Sequence, residues 1–157
     1  MWVRAVYTPA HRGSRVNICA VAGNPSTPLA KKLGIVEDSV LVLVDPPDDL
    51  RLVLPPGVTV RRQLRGRADV VLAFVTDPTQ LARRLERLAA AVFPSGGLWI
   101  AWPKQSSRIP TDMSDHVVRR LSLPRGLVDN KVCAVDDTWT ALRMVWRREH
   151  RIPPDRR

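Results

Sequence analysis

The chain of 157 residues has little of several things, and each scarcity removes a class of explanation. Two cysteines, Cys19 and Cys133, are too few for the disulfide framework of a small secreted domain, so incidental reduced thiols are expected. Three histidines, His11, His116 and His150, are scattered with no metal-ligand spacing, so no metal site is expected. No apolar run approaches the ~20 residues of a membrane helix. The opening "MWVRAVYTPAHRGSRVNICAVAG" has no continuous apolar core of a secretory signal, and a cytoplasmic protein is expected. There is no phosphate-binding P-loop and no G-x-S-x-G nucleophile turn.

What the chain does have is positive charge, +10 in all, carried by 21 arginines and only four lysines. Residues 1–22 hold three arginines and no acid, and residues 147–157 hold five arginines against two acids. Much of the basicity therefore sits at the two ends. Basic ends attract nucleic acid by counterion release, but solvated tails carry the same composition.

The length fits one domain with a full core. Residues 1–21 lack periodicity and are expected to be a loosely ordered basic extension, residues 22–148 a single α/β domain, and residues 149–157 a basic tail. In "NPSTPLAKKLGI", Thr27 and Pro28 predict the start of a short helix and Gly34 its end. "SVLVLVD" (39–45) and "ADVVLAFVT" (68–76) are short, valine-rich and wholly apolar inside, which predicts adjacent parallel strands buried on both faces. Between them, "PDDLRLVL" reads as a short helix and "VTVRRQL" (58–64) as an edge strand. Asp77, Pro78 and Gln80 predict a capped helix start, and Leu81, Leu85, Leu88 and Val92 give that helix one apolar stripe. "LWIAW" (98–102) is another buried strand, with Leu98, Ile100 and Trp102 on one side and Trp99 and Ala101 on the other. Thr111 is the expected cap of a later helix with Val117, Val118 and Leu121 inside. Residues 131–135 and 140–147 form a hairpin turning at Asp136 and Asp137. The expected fold is a Rossmann-like α/β domain: an open, mainly parallel sheet, helices on both faces and a C-terminal antiparallel hairpin. That order of elements is similar to Rossmann-like methyltransferases.

Three blocks, "AGNPSTPLAKKLGI", "LWIAWPK" and "GLVDNKVCAVDDTWTALRMVWR", resemble the signature blocks of a small actinobacterial DUF family, over about residues 22–148. The resemblance implies a stand-alone bacterial cytosolic protein. It brings no activity, cofactor or catalytic residue with it.

Ligands of open α/β sheets bind outside the carboxyl ends of the strands. Three such ends are legible: Asp45, then Thr76 and Asp77, then Trp102 and Lys104. These five residues are the expected ligand edge. Trp102 is expected at the rim, part packed and part exposed, mainly closing the core, with the Lys104 ammonium held by Asp45 or Asp77 and any ligand role secondary. The turn after the first strand is "DPPDD", where Pro46 and Pro47 replace the glycines that let a backbone approach a cofactor. No cofactor is expected on this ground, neither S-adenosylmethionine nor a dinucleotide. Cys133 with His116 could suggest a nucleophile and base, but an inert thiol in a strand explains Cys133 better. Asp136 and Asp137 fit a hairpin turn better than a metal site. Arg61, Arg62, Arg65 and Arg67 form the densest internal basic cluster. It could follow a nucleic-acid backbone, but no aromatics interleave it, and charge protecting an edge strand is the stronger reading.

The leading expectation is therefore a non-catalytic binding or regulatory module with a degenerate Rossmann-like site, recognising a protein partner or small ligand and no membrane. An enzyme or small-ligand binder using the carboxyl edge is the alternative, and a nucleic-acid-associated protein using the arginines the third.

Overall fold

A computed structural model describes the backbone of residues 5–7 and 19–20 and the whole of residues 28–151. The two valine-rich runs become β3 (Val40–Val44) and β6 (Val70–Phe74), parallel neighbours in register Leu41 with Val70 through Val44 with Ala73. Their side chains are buried on both faces, as their composition demands. On the outer side of β3 lies the edge strand β5 (Thr59–Arg61), also parallel. On the other side of β6 lies parallel β7 (Gly97–Pro103), then the antiparallel pair β9 (Trp139–Trp146) and β8 (Leu127–Ala134). The six-stranded order is β5-β3-β6-β7-β9-β8.

The two faces of β7 separate two cores as the alternation predicts. Leu98, Ile100 and Trp102 join Leu81, Leu85 and Leu88 of α2 (Pro78–Ala91) and Val118 of α3 (Asp115–Ser122). Trp99 and Ala101 join the opposite cluster, with Leu33, Leu41, Leu43, Leu52 and Phe74. The Trp99 Nε1 donates to the Leu33 carbonyl at 2.9 Å, fixing the C-cap of α1 (Leu29–Lys32) on that face. Gly34 follows at φ +78°, the conformation that ends a helix most cheaply without a Cβ. The expected Thr27 cap lies outside the described residues.

On the second face, α1 packs as expected, but one further expected helix is a strand. The segment read as a helix, "PDDLRLVL", is a turn followed by β4 (Leu52–Leu54). Leu50, Leu52 and Leu54 are all buried at a spacing of two, which is a strand's period, and Pro47 had suggested a helix start that the pattern does not continue. β4 pairs antiparallel with β1 (Ala5–Tyr7), which pairs with β2 (Cys19–Ala20), a small sheet of order β2-β1-β4. Within residues 1–21, expected to be loosely ordered, these two pieces are therefore strands; the rest of that segment, His11 and residues 152–157 of the tail lie outside the described residues.

The α3 cap is Ser114 rather than Thr111, its hydroxyl accepting from the Val117 N–H at 3.2 Å. Arg119 then ties α3 to β8 through Asp129 at 3.0 Å and to Asp115 one turn back at 2.6 Å. This guanidinium, with the His116 backbone N–H, holds the Asp115 carboxyl below its ordinary range. Among the described residues no helix is long and apolar enough to cross a membrane.

Candidate active site

The sheet order sets the ends of β3, β6 and β7 side by side, so Asp45, Thr76 with Asp77, and Lys104 do share one edge. Asp45 is exposed and has φ +49°, a left-handed backbone at the point where β3 must turn away. Aspartate tolerates this region better than most residues, yet it is an uncommon conformation. Its carboxylate is paired with the Arg84 guanidinium of α2. Both partners are substantially solvated, with side chains 54% and 40% exposed.

One strand over, Asp77 caps α2, its Oδ1 accepting from the Thr79 N–H at 2.6 Å. The Gln80 side chain reaches back as the capping pattern predicts, although it accepts from the Thr76 N–H, at 3.4 Å, rather than from Asp77. The Thr76 carbonyl is held from the other side by the Thr111 hydroxyl at 2.6 Å. That is the work Thr111 does in place of capping α3. The loop after β6 is thus fixed on both flanks while the Thr76 and Asp77 side chains stay exposed.

The side chains of Trp102 and Lys104 are engaged elsewhere. Trp102 is 8% exposed and packs into the core under α2 and α3, so it is a core residue and not a rim platform. Lys104 pairs with neither Asp45 nor Asp77. Its Nζ donates to the Asp136 carbonyl at 2.7 Å, because the β8–β9 turn folds over the end of β7. Asp136 in turn accepts from the Thr138 and Trp139 N–H groups, at 2.8 and 2.7 Å, which is the hairpin-turn role expected of it. Cys133 is a free thiol, buried in β8, and burial pushes its pKa up despite the Lys32 charge, the opposite of an activated nucleophile.

Two clefts open on the edge. One, about 430 Å³, is lined by Thr76, Asp77, Thr79, Gln80, Arg83 and Arg84. The other, about 510 Å³, lies between the ends of β3 and β5 and the flank of α2, and Asp45, Arg62, Arg65, Arg84 and Arg87 line it. Arg84 borders both. Of the expected basic cluster, Arg62 and Arg65 therefore face a cleft. Arg61 is half-buried and donates to the Arg65 carbonyl at 2.9 Å, bracing the loop, and Arg67 is exposed outside the cleft lining. Arg84 and Arg87 were no part of the expected ligand edge or of the expected basic cluster. Their signal was the spacing of three that puts both on the polar side of α2, beside a strand end.

No family model matches the chain, and no curated protein does. Solved structures do. A SAM-dependent methyltransferase from Aquifex aeolicus is similar with a TM-score of 0.54 at 12% identity, over 74% of this chain and 87% of that one. Magnesium protoporphyrin IX methyltransferase from Synechocystis, with bound SAM, is similar with a TM-score of 0.50 at 11% identity, over 76% of this chain and 74% of that one. The fold is that of SAM-dependent methyltransferases. The SAH-bound form of the Synechocystis enzyme aligns at 13% identity and a TM-score of 0.46, over 59% of this chain and 52% of that one, so the chain spans about half of that protein's length. These likenesses overturn the expectation of a non-catalytic module and the lean away from an enzyme. That expectation rested on the missing glycine turn, whereas the order of strands, which the turn does not determine, is the one that enzymes of this fold carry.

Proposed function

We propose that the protein is a methyltransferase whose donor, S-adenosylmethionine, is held at the carboxyl edge between Asp45 and Asp77. The observation that carries this reading is the placement of Asp45: an exposed carboxylate, in left-handed backbone, at the end of a central strand next to the end of β6. The sequence set this donor aside because of Pro46 and Pro47. Those prolines lack the N–H groups that cradle a pyrophosphate, and a dinucleotide does not fit. S-adenosylmethionine has no phosphate. It presents a sulfonium, an ammonium, one carboxylate and a ribose diol, and the chemistry of the edge matches them.

The Asp45 and Asp77 carboxylates accept from an ammonium or a diol, and the Arg84 guanidinium pairs with a carboxylate. Separating Arg84 from Asp45 costs little, because exposed ion pairs are worth about 0–1 kcal/mol. The sharp turn that a glycine would permit is made at Asp45 itself. When bound, S-adenosylmethionine supplies an electrophilic methyl group. The chain's own part is to orient the donor: Gln80 and Thr111 hold the Thr76 loop still, and Asp45 and Asp77 present acceptors from two adjacent strands.

Calorimetry with S-adenosylmethionine and its demethylated product tests this. Binding in the micromolar range, weakened at least tenfold in Asp45→Asn, is expected. Absence of binding at millimolar concentration of either compound would refute the reading.

A further inference from the structure

The cleft of about 510 Å³ beside the donor edge has an unusual lining. Arg62 and Arg65 come from the loop after β5, and Arg84 and Arg87 from α2, with Asp45 the single acid among them. Four arginines from two elements against one aspartate give the lining a net positive charge. Among the described residues, the Arg65 and Arg87 guanidinium groups make no hydrogen bond or ion pair. Among the described residues, Arg84 is engaged only by the exposed Asp45. The loop that carries Arg65 is shaped rather than loose: Arg61 donates to the Arg65 carbonyl at 2.9 Å, the Arg65 N–H reaches the Gln63 carbonyl at 3.0 Å, and Gly66 turns at φ +68°. Val44 and Leu64 give the cleft an apolar floor, and Gln63 an uncharged donor and acceptor.

We propose that this cleft binds a phosphorylated small molecule, the substrate of the enzyme, through bidentate contacts from Arg65 and Arg87. Guanidinium groups match phosphate oxygens two at a time, which a lysine cannot do, and every basic residue in the cleft's described lining is an arginine. The volume is that of a small-ligand pocket. A nucleic acid fits less well: no aromatic side chain lines the cleft for a base to stack on. Naming this ligand as the methyl acceptor rests on the proposed methyltransferase function; the anion site itself does not.

The probes are inorganic pyrophosphate and ribose 5-phosphate, with ribose as the uncharged control. Pyrophosphate carries no diol, ammonium or carboxylate for the donor edge, and ribose measures what the diol alone contributes. Titration calorimetry at low salt is expected to detect both phosphates and not ribose. Arg65→Ala and Arg87→Ala each lower the affinity at least tenfold, Arg87→Lys recovers only part of it, and Arg148→Ala, far from the cleft in sequence and outside its lining, changes nothing. All four substitutions are at exposed positions, and circular dichroism verifies the fold. Failure of both phosphates to bind, or equal affinity in the alanine variants, overturns the site. So does a single-stranded RNA that binds through the same arginines and is not displaced by pyrophosphate. Phosphate binding without any binding of S-adenosylmethionine would sustain the anion site and refute the methyltransferase reading, and the reverse pattern would do the opposite.

Discussion

Trp102 and Lys104 are two residues apart in sequence; the indole lies in the core, and the ammonium is held by a partner other than the expected aspartates. A tryptophan followed by proline and lysine looks like a platform beside a charge. The structure gives the indole to the core and the ammonium to a backbone carbonyl. Trp102→Ala should then cost about 3–5 kcal/mol, the usual price of a large aromatic deleted from a packed core. Lys104→Ala should cost only ~0.5–1.5 kcal/mol, the net worth of one hydrogen bond. Urea denaturation of the two variants measures both. Similar small losses would mean that the indole is not a core element. The alternation of β7 that places Trp102 was legible from five consecutive letters. The partner of Lys104 was not, because it is a carbonyl 32 residues away and nothing in local sequence encodes how far a hairpin turn folds back.

At the scale of elements, strands and helices with strong composition were readable and the small connecting pieces were not. β3 and β6 are runs of valine and leucine between polar residues, and α2 shows a cap, a proline and a stripe in fifteen residues. The segment 46–54 has three buried leucines, too few to separate a period of two from one of 3.6 before the partner strand is known. That partner is β1, from a segment that reads as featureless because three residues carry no detectable alternation. The pairing has a consequence. Removing residues 1–21 strips β4 of its ladder partner while Leu52 and Leu54 remain core residues. The truncated chain should melt at a clearly lower temperature than the full one. An unchanged melting temperature would show that β4 is held by its core side chains alone.

At the scale of the molecule, the sheet order does what no single motif does: it brings Asp45 and the Thr76–Asp77 loop together and leaves a basic cleft against their flank. The edge was legible in outline, since each strand end could be read off as the point where an apolar run stops. The second wall of the cleft, Arg84 and Arg87, was hidden because it depends on which face of the sheet α2 covers. Fold likeness at 11–12% identity carries the architecture and not the chemistry, so the central claim rests on where a donor sits. Amide hydrogen exchange, followed by mass spectrometry with and without S-adenosylhomocysteine, locates it directly. The account predicts slower exchange in peptides covering 45–50 and 76–82, with 28–35 and 127–134 unchanged. Unaltered exchange at 45–50 and 76–82 under saturating ligand would contradict it.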